Sequence, residues 1–508
     1  MRNIFTIVLI VCCCLSHAYA QPSGEANVHN LTLQGIDRLY NLEMEQAERS
    51  FDEVIRLAPN DPRGYFFKAM IYFWTFTLNK NKQAYEQFFE LSDKVIELCE
   101  NELDKDEKNA LATFYLGGIY GYRGIAYQRD GSLLKAAWNG RKGYSYLKDA
   151  TTLKPDLYDA QMGFGLFSYL VGKVPKSYRW LLNIIGFSGD IEGGLVALRQ
   201  AAEQGTYTRS EASFYLAEFL YFEDRREEAY IYINRVMEKH PENTLFLSQY
   251  AQWEYRQEKL ETAMAAAQKA IAINNKKNIK IGDEFAHSIL ANCYFVKNEY
   301  KNAIEHGELY MQKVENKELI PVSIYYRLGV SYEILGDRTK AVTYYRQIRA
   351  SQSGTGGGGW QQQYIRRGQQ RLQQPLTEVD IVLIKAENAA SLNDFKSAVK
   401  LYKEALGKRP DTDQLATALY GMAQAYHRQE KYKEAIETAL ELVALQPPRE
   451  MWLVPHGYYV LGRAYAQLGQ VNDARAAFEM IGSYKNYDSQ SRLESRVEQE
   501  LQKLAAVN

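Results

Sequence analysis

The chain has 508 residues, of which 61 are basic and 62 acidic, so its formal net charge at pH 7 is −1. This balance excludes the strong basic field that draws proteins to nucleic acid or to anionic lipid. A hydrophobic content of 46% suits two or three ordinary domains or one extended repeat array, and 12 prolines favour long helices over sandwiches and barrels.

The first twenty residues have the features of a secretory signal peptide. Arg2 supplies a positive charge, residues 4–15 form a short apolar stretch, and the Ala-Tyr-Ala ending at Ala20 fits an A-x-A cleavage site. Three cysteines at 12–14 raise lipid attachment as an alternative, but they lack the small residue that normally precedes a lipidated cysteine. We therefore expect an exported chain, periplasmic or secreted and cleaved after Ala20, rather than a lipoprotein. No later stretch is long and apolar enough to predict a transmembrane segment.

The region after the signal, residues 21–205, contains the most unusual stretch of the sequence. It includes Lys-Ala-Ala-Trp at 135–138 and the run LLNIIGFSGD at 181–190. We expect GFSGD to begin a helix, with Ser188 capping the first turn and Asp190 near the positive end of the helix dipole.

Farther along the chain, small residues recur in pairs twelve positions apart. The pairs are Ala217 and Ala229, Ala251 and Ala263, Ala291 and Ala303, Gly329 and Ala341, Ala386 and Ala398, Ala423 and Ala435, and Gly462 and Ala474. Two helices joined by a short turn can pack closely only where small residues face each other, so this spacing predicts helical hairpins that stack into a continuous core. Large residues that fill the space to the next hairpin follow in register at Phe51, Tyr345, Tyr402 and Phe478.

One stretch interrupts the repeats. Residues 351–359 read SQSGTGGGG, and a glutamine-rich helical segment follows as far as Pro375. A phosphate-binding loop would need a preceding strand and usually a lysine, so a flexible loop is expected instead. The final helix, at about 491–506, is polar and charged, as is typical of a cap on the last repeat.

The twelve-residue spacing is that of the tetratricopeptide repeat family. It implies an all-α fold, a right-handed superhelical solenoid of about ten helix pairs with a C-terminal capping helix. Residues 110–205 resemble the tetratricopeptide repeat protein 39 family, which includes the fungal inclusion-body-clearance proteins. This second resemblance implies a non-enzymatic helical-repeat protein. The fungal members are tied to mitochondria and to clearance of aggregated protein, a role that we do not carry over to an exported chain.

The order of these segments predicts five regions along the chain. They are a signal peptide at 1–20, an atypical helical-repeat region at 21–205, central repeats at 206–350, a glycine-rich loop with a glutamine-rich helical segment at 351–378, and C-terminal repeats with the capping helix at 379–508.

The sequence contains no recognisable catalytic or metal-binding pattern. The six histidines after residue 20 form no HExxH motif, and no GxSxG elbow, P-loop or dinucleotide fingerprint appears. Cys99 and Cys293 are far apart in sequence and are expected to be small core residues. We therefore predict no enzymatic activity, no metal site and no cofactor.

The repeat register predicts a partner-binding stripe on the concave face, which the first helix of each pair lines. Its members are Phe214, Tyr215, Tyr221, Phe222, Tyr255, Arg256, Phe285, Asn292, Phe295, Tyr326 and Arg327. Aromatic residues and arginine are enriched at protein interfaces. An alternative assigns several of these side chains to packing between repeats. A carboxylate clamp of the co-chaperone type is not expected, because Ser288, Asp380 and Ile384 occupy positions where that clamp needs other residues.

These features predict a non-enzymatic scaffold or adaptor that binds protein or peptide partners and no nucleic acid, with any membrane association made through a partner. The alternative is a carrier of a lipid or small apolar molecule, with a pocket in the aromatic N-terminal block.

Overall fold

The computed structural model describes residues 24–79, 81–174, 189–314, 317, 320–350 and 359–506. Regular secondary structure in these ranges is helical, with 24 α-helices, so the predicted all-α class is confirmed. The chain divides into two compact units, Met1–Phe246 and Leu247–Asn508. Within the described ranges, no helix combines the length and the apolar composition needed to cross a bilayer. The predicted signal peptide and residues 351–358 of the glycine-rich run lie outside the described residues.

The first unit is a series of helices, each packed on its neighbours in sequence. They are α1 Gly24–Tyr40, α2 Met44–Leu57, α3 Pro62–Asn79, α4 Lys82–Lys105, α5 Ala110–Arg129, α6 Leu133–Leu153, α7 Tyr158–Gly172, α8 Ile191–Gln204, α9 Arg209–Phe222 and α10 Arg226–Lys239, and the boundary between the units falls within α11 Thr244–Arg256. Side chains cap several of these helices. Asn81 and Asn109, for example, accept hydrogen bonds from free backbone N–H groups in the first turns of α4 and α5.

The second unit continues the same pattern. Its helices are α12 Leu260–Lys277, α13 Asp283–Val296, α14 Tyr300–Lys313, α15 Val322–Ile334, α16 Arg338–Ala350, α17 Gly359–Gln373, α18 Glu378–Ser391, α19 Phe395–Gly407, α20 Thr412–Arg428, α21 Tyr432–Val443, α22 Leu453–Gln467, α23 Val471–Met480 and α24 Gln490–Ala506. The predicted cap is confirmed, because Leu493, Val497 and Leu504 of α24 are buried against Phe478 and Ile481.

The small residues of the twelve-residue grid lie at the helix crossings, as predicted. All fourteen are buried. The large residue of the second helix packs directly on a small residue of the first, so that a Cβ added at Gly462 would lie 2.6 Å from the ring of Phe478. The ring of Tyr345 occupies the same place against Gly329. Close approach of the helices therefore requires the small side chains that define the repeat.

The hairpin turns share one backbone conformation. A residue with positive φ stands two positions before the second helix of each pair, at Asp224, Glu258, Asn298, Gly336, Asn393, Glu430 and Gly469. The following N–H closes the turn, as where Arg225 donates to the carbonyl of Leu220 at 2.9 Å. This repeated turn fixes the length of each hairpin and hence the register of the grid.

Helices α5 and α6 cross backbone on backbone. A Cβ at Gly143 would lie 2.7 Å from the Gly121 nitrogen and 3.0 Å from the Gly117 carbonyl oxygen. A Cβ at Gly121, in contrast, would meet no atom of the described residues within 4 Å. The glycines of this pair thus bring two helices together and leave open space beside Gly121. Cys99 and Cys293 are free and buried, which confirms their predicted place in the core.

Two expected local features are present with added detail. Asp190 lies at the positive end of α8, as expected, where it is the N-cap and accepts a hydrogen bond from the Gly193 N–H. The proposed cap Ser188 lies outside the described residues. The glutamine-rich segment is helical, as predicted, but α17 also forms ion pairs, including a two-bond contact of Arg371 with Asp380 at 2.9 Å.

Candidate binding groove

The predicted stripe begins on α9 of the first unit, where most of its residues pack against their own neighbours. Phe214 stacks on Phe246 with ring centroids 4.8 Å apart, and Tyr215 lies 6.2 Å from Phe219. Phe222 is the most exposed of these residues, at 60%. The structure therefore describes α9 as largely a packing surface, and a binding role for it stays a prediction.

In the second unit the predicted residues divide between exposed and buried positions. Phe285 is 48% exposed and Arg256 is also exposed. Phe295 and Tyr326 are only 6% and 5% exposed and belong to a hydrophobic cluster. These two rings therefore pack in the core of the second unit.

Four predicted residues meet in one internal cluster around Arg327. Its guanidinium donates to the Tyr255 hydroxyl at 2.9 Å and to the Asn292 side-chain oxygen, and it lies 5.2 Å from the centre of the Phe295 ring. Since Asn292 and Arg327 bind each other, they do not form the open pair that a carboxylate clamp needs. Asp380 is likewise engaged, in its ion pair with Arg371.

A groove of about 670 Å³ runs along the second unit. Its walls come mainly from the first helices of successive pairs, α13, α15, α18, α20 and α22, together with α17 and α24. Phe295, Tyr326 and Arg327 of the predicted stripe line it. The lining contains both aromatic side chains, among them Tyr420 and Trp452, and polar ones. We call this cavity the arginine groove because of its charged lining.

The arginine groove has an excess of positive charge. Five arginines and two glutamates line it, namely Arg327, Arg367, Arg428, Arg463, Arg496, Glu258 and Glu387. Arg367 is paired with Glu387 at 3.3 Å. Arg428, Arg463 and Arg496 are exposed, and no ion pair joins them to a carboxylate within the described ranges. The groove therefore offers three guanidinium groups to an anionic ligand.

Two histidines in the groove respond to this positive charge. Burial, followed by the charges of Arg463 and Arg428, lowers the pKa of His427 to about 4. Burial and then the charge of Arg496 lower the pKa of His456 to about 4. Both rings are therefore neutral at pH 7, and the surplus charge of the groove comes from its arginines.

Sequence reasoning did not identify the C-terminal half of this groove. Its residues follow helical spacing, with Tyr420, Gln424 and His427 on α20 and Tyr459 and Arg463 on α22. The predicted stripe was read from a set of repeat positions in the central hairpins. Reading the same positions in the last three hairpins would have identified these groove residues. Arg367 and Arg496 lie on α17 and α24, which are outside the regular grid, so the repeat register could not have placed them.

A search of the solved structures gives low-scoring similarities to other helical-repeat proteins. Yeast Tom70 is 13% identical, covers 91% of this chain and 100% of its own, and has a TM-score of 0.30. A human IFIT1 dimer with m7Gppp-AAAA is 16% identical, covers 89% and 94%, and has a TM-score of 0.35. A tetratricopeptide repeat protein from Parabacteroides merdae is 15% identical, covers 57% and 98%, and has a TM-score of 0.27. A search of curated proteins finds no match.

Family models agree with the repeat grid along much of the chain. The model for Iml2/tetratricopeptide repeat protein 39 matches residues 158–318. Models for the tetratricopeptide repeat match 322–348, 385–450 and 455–479. The resemblance predicted from residues 110–205 is thus confirmed, with the match centred farther along the chain. The chain belongs to the tetratricopeptide repeat superfamily and includes a segment of the Iml2/tetratricopeptide repeat protein 39 type.

Proposed function

We propose that this chain is a non-enzymatic scaffold that binds an extended, acidic segment of a partner protein in the arginine groove. Repeats of this superfamily form interaction surfaces for proteins and peptides, which supports the general class. The observation that carries the specific proposal is the set of three exposed arginines that form no ion pair with a carboxylate of the described residues. Carboxylates of a partner would form charge-assisted hydrogen bonds with them.

The aromatic lining supports a peptide ligand with apolar as well as acidic residues. Tyr420 and Trp452 lie with ring centroids 5.3 Å apart, and Tyr459 lies close to the Arg463 guanidinium, at 6.0 Å. Such rings provide contact area at a low entropic cost, whereas the arginines select the charge. An acidic peptide with interspersed leucine or aromatic residues fits both properties.

The test is the binding of a fluorescein-labelled peptide of alternating glutamate and leucine, measured by fluorescence anisotropy. Substituting Arg428, Arg463 and Arg496 together by glutamine should weaken binding by about 3- to 150-fold, since each of the three exposed pairs contributes roughly 0.2–1 kcal/mol. The control replaces three exposed lysines of the second unit that do not line the groove, Lys396, Lys400 and Lys433, by glutamine.

Both variants lose the same charge, so a general electrostatic effect would weaken peptide binding equally in the two. A groove variant that retains full affinity, or a lysine variant that loses as much, would contradict the proposal. A lysine–leucine peptide of the same length should not bind. Tighter binding of an oligonucleotide than of the acidic peptide would also count against a protein partner.

We further propose that the scaffold acts outside the cytoplasm. The support is the pattern of residues 1–20, a positive charge, an apolar stretch and the Ala20 cleavage site. In this proposal, contact with a membrane comes through the bound partner. Expression of the full gene and a mass measurement of the product should give a chain that begins at Gln21. An intact N-terminus would overturn the proposed export. A lipid adduct on a cysteine would overturn cleavage after Ala20 and the proposal that membrane contact comes through the partner.

A further inference from the structure

The first unit contains a second cavity, separate in chemistry from the arginine groove. It has a volume of about 430 Å³, within the range of small-molecule sites. Helices α1, α3, α5, α6 and α7 provide most of its walls, and α9 contributes Glu211. Gly121 lines it, and a Cβ at that position would meet open space. The close glycine crossing of α5 and α6 therefore leaves room for a ligand beside it.

The lining of this cavity is apolar and unusually aromatic. Nine of its residues are aromatic, and Leu, Ile, Met, Val, Ala and Gly provide most of the rest. Phe66 lies 6.2 Å from Tyr122, in an edge-on arrangement. Trp74 is half-buried and adds a large π face to the wall. Such a surface binds the apolar body of a ligand, and its ring faces also attract cations.

One carboxylate, that of Glu211, lies among these rings. Glu211 is 8% exposed and lines the cavity. The Tyr122 hydroxyl donates to it at 2.8 Å and the Tyr40 hydroxyl at 3.1 Å. Across the residues that the structure describes, no Lys, Arg or His side chain forms an ion pair with it. Burial raises the pKa of Glu211 above its usual value, and the hydrogen bonds from the two tyrosine hydroxyls offset only part of this rise.

One feature of the fold opposes this upward shift of the pKa and favours the charged form of the side chain. Glu211 stands in the first turn of α9, where the helix dipole stabilises a carboxylate. A buried negative charge with hydrogen bonds but no cation is incompletely compensated. A cationic ligand would supply that missing charge. A neutral ligand would deepen the burial of the carboxylate, and an anionic one would be repelled by it.

We propose that this cavity binds an organic ammonium ion with an apolar body, whose charged group lies against Glu211 and the rings of Tyr40 and Tyr122. The apolar part fills the space beside Gly121. This site is independent of the scaffold function, because it lies in the other unit and selects the opposite charge.

The experiment uses the purified full chain and isothermal titration calorimetry with octyltrimethylammonium. Octan-1-ol and octyl sulfate serve as neutral and anionic probes with the same alkyl chain. The ammonium ion should bind at one site and more tightly than either of the other probes. Glu211→Gln should weaken its binding by about tenfold or more, as expected for a lost hydrogen-bonded charge. Glu218→Gln, on the same helix but outside the cavity, should leave its affinity unchanged.

A second variant tests the location of the site. Gly121→Leu fills the open space without a clash at Cβ and replaces a helical glycine, so it should fold and should abolish binding of the ammonium ion. The proposal is overturned if octyltrimethylammonium does not bind, if octan-1-ol binds as tightly, or if either cavity variant retains the affinity of the parent chain. Circular dichroism confirms that each variant is folded.

Discussion

Replacement of Gly143 by alanine should destabilise the first unit, although alanine is the better helix former. In an exposed helix, replacing glycine by alanine would stabilise the helix by about 0.5–1 kcal/mol. Here the new Cβ would lie 2.7 Å from the Gly121 nitrogen and 3.0 Å from the Gly117 oxygen. Since non-bonded carbon contacts are optimal at about 3.5–4.0 Å, α5 and α6 would have to separate by about 1 Å.

The expected net effect follows from these opposing terms. Overpacking of this kind typically costs about 1–3 kcal/mol, more than the gain in helix propensity. We therefore expect Gly143→Ala to destabilise the α5–α6 pair by about 1–2 kcal/mol. The matched control is Gly121→Ala on the facing helix. Its Cβ meets no atom of the part of the chain that the structure describes within 4 Å, so the same chemical change should stabilise the pair of helices by up to about 1 kcal/mol.

Hydrogen–deuterium exchange of peptides from α5 and α6 is the appropriate assay, because long repeat arrays need not unfold in one step. Exchange in Gly143→Ala should be about 5–30 times faster than in the parent chain, and exchange in Gly121→Ala equal or slower. Equal protection of these amides in the two variants would refute the reasoning, because the backbone contact at this crossing would then not limit the approach of the helices.

Two further predictions concern the second unit. Because the pKa values of His427 and His456 are lowered to about 4, the unfolded chain takes up protons that the folded chain refuses between pH 6.5 and 4. The free energy of unfolding should therefore fall as the pH drops through this window. Replacing both histidines by glutamine should reduce this fall, as measured by urea titrations at several pH values. An unchanged dependence of the free energy of unfolding on pH would contradict the lowered pKa values. Asp380→Asn should destabilise the second unit by about 3–5 kcal/mol, because it leaves Arg371 charged and buried. The control Glu378→Gln, which removes an exposed ion pair, should change the free energy of unfolding by less than about 0.5 kcal/mol in the same titrations. Equal effects of the two substitutions would rule out a special role for burial.

The fold was predictable because its determinants are local and periodic. A small residue at Ala217 and another at Ala229 report a helix crossing from sequence alone, and repetition of the pair excludes chance. The left-handed turn residues stand at a constant distance from each second helix. The features that could not be predicted from the sequence are contacts between residues far apart along the chain. Arg366 of α17, for example, contacts Glu450 and Asp488, which lie 84 and 122 positions away. No periodic pattern encodes such a pairing.

The candidate sites were less predictable, for a reason that lies in the repeat itself. The grid specifies the residues at helix crossings and leaves the groove-facing positions free, so one architecture can form surfaces of opposite character. In the second unit these positions hold arginines and aromatic rings. In the first, glycines at the crossing of α5 and α6 and many aromatic residues produce an apolar cavity around Glu211. Tyr326 shows the limit of the register, because a position that faces the groove in the repeat plan is also buried in the core. The side chain's function depends on which neighbour covers it, and that neighbour is set by contacts distant in sequence.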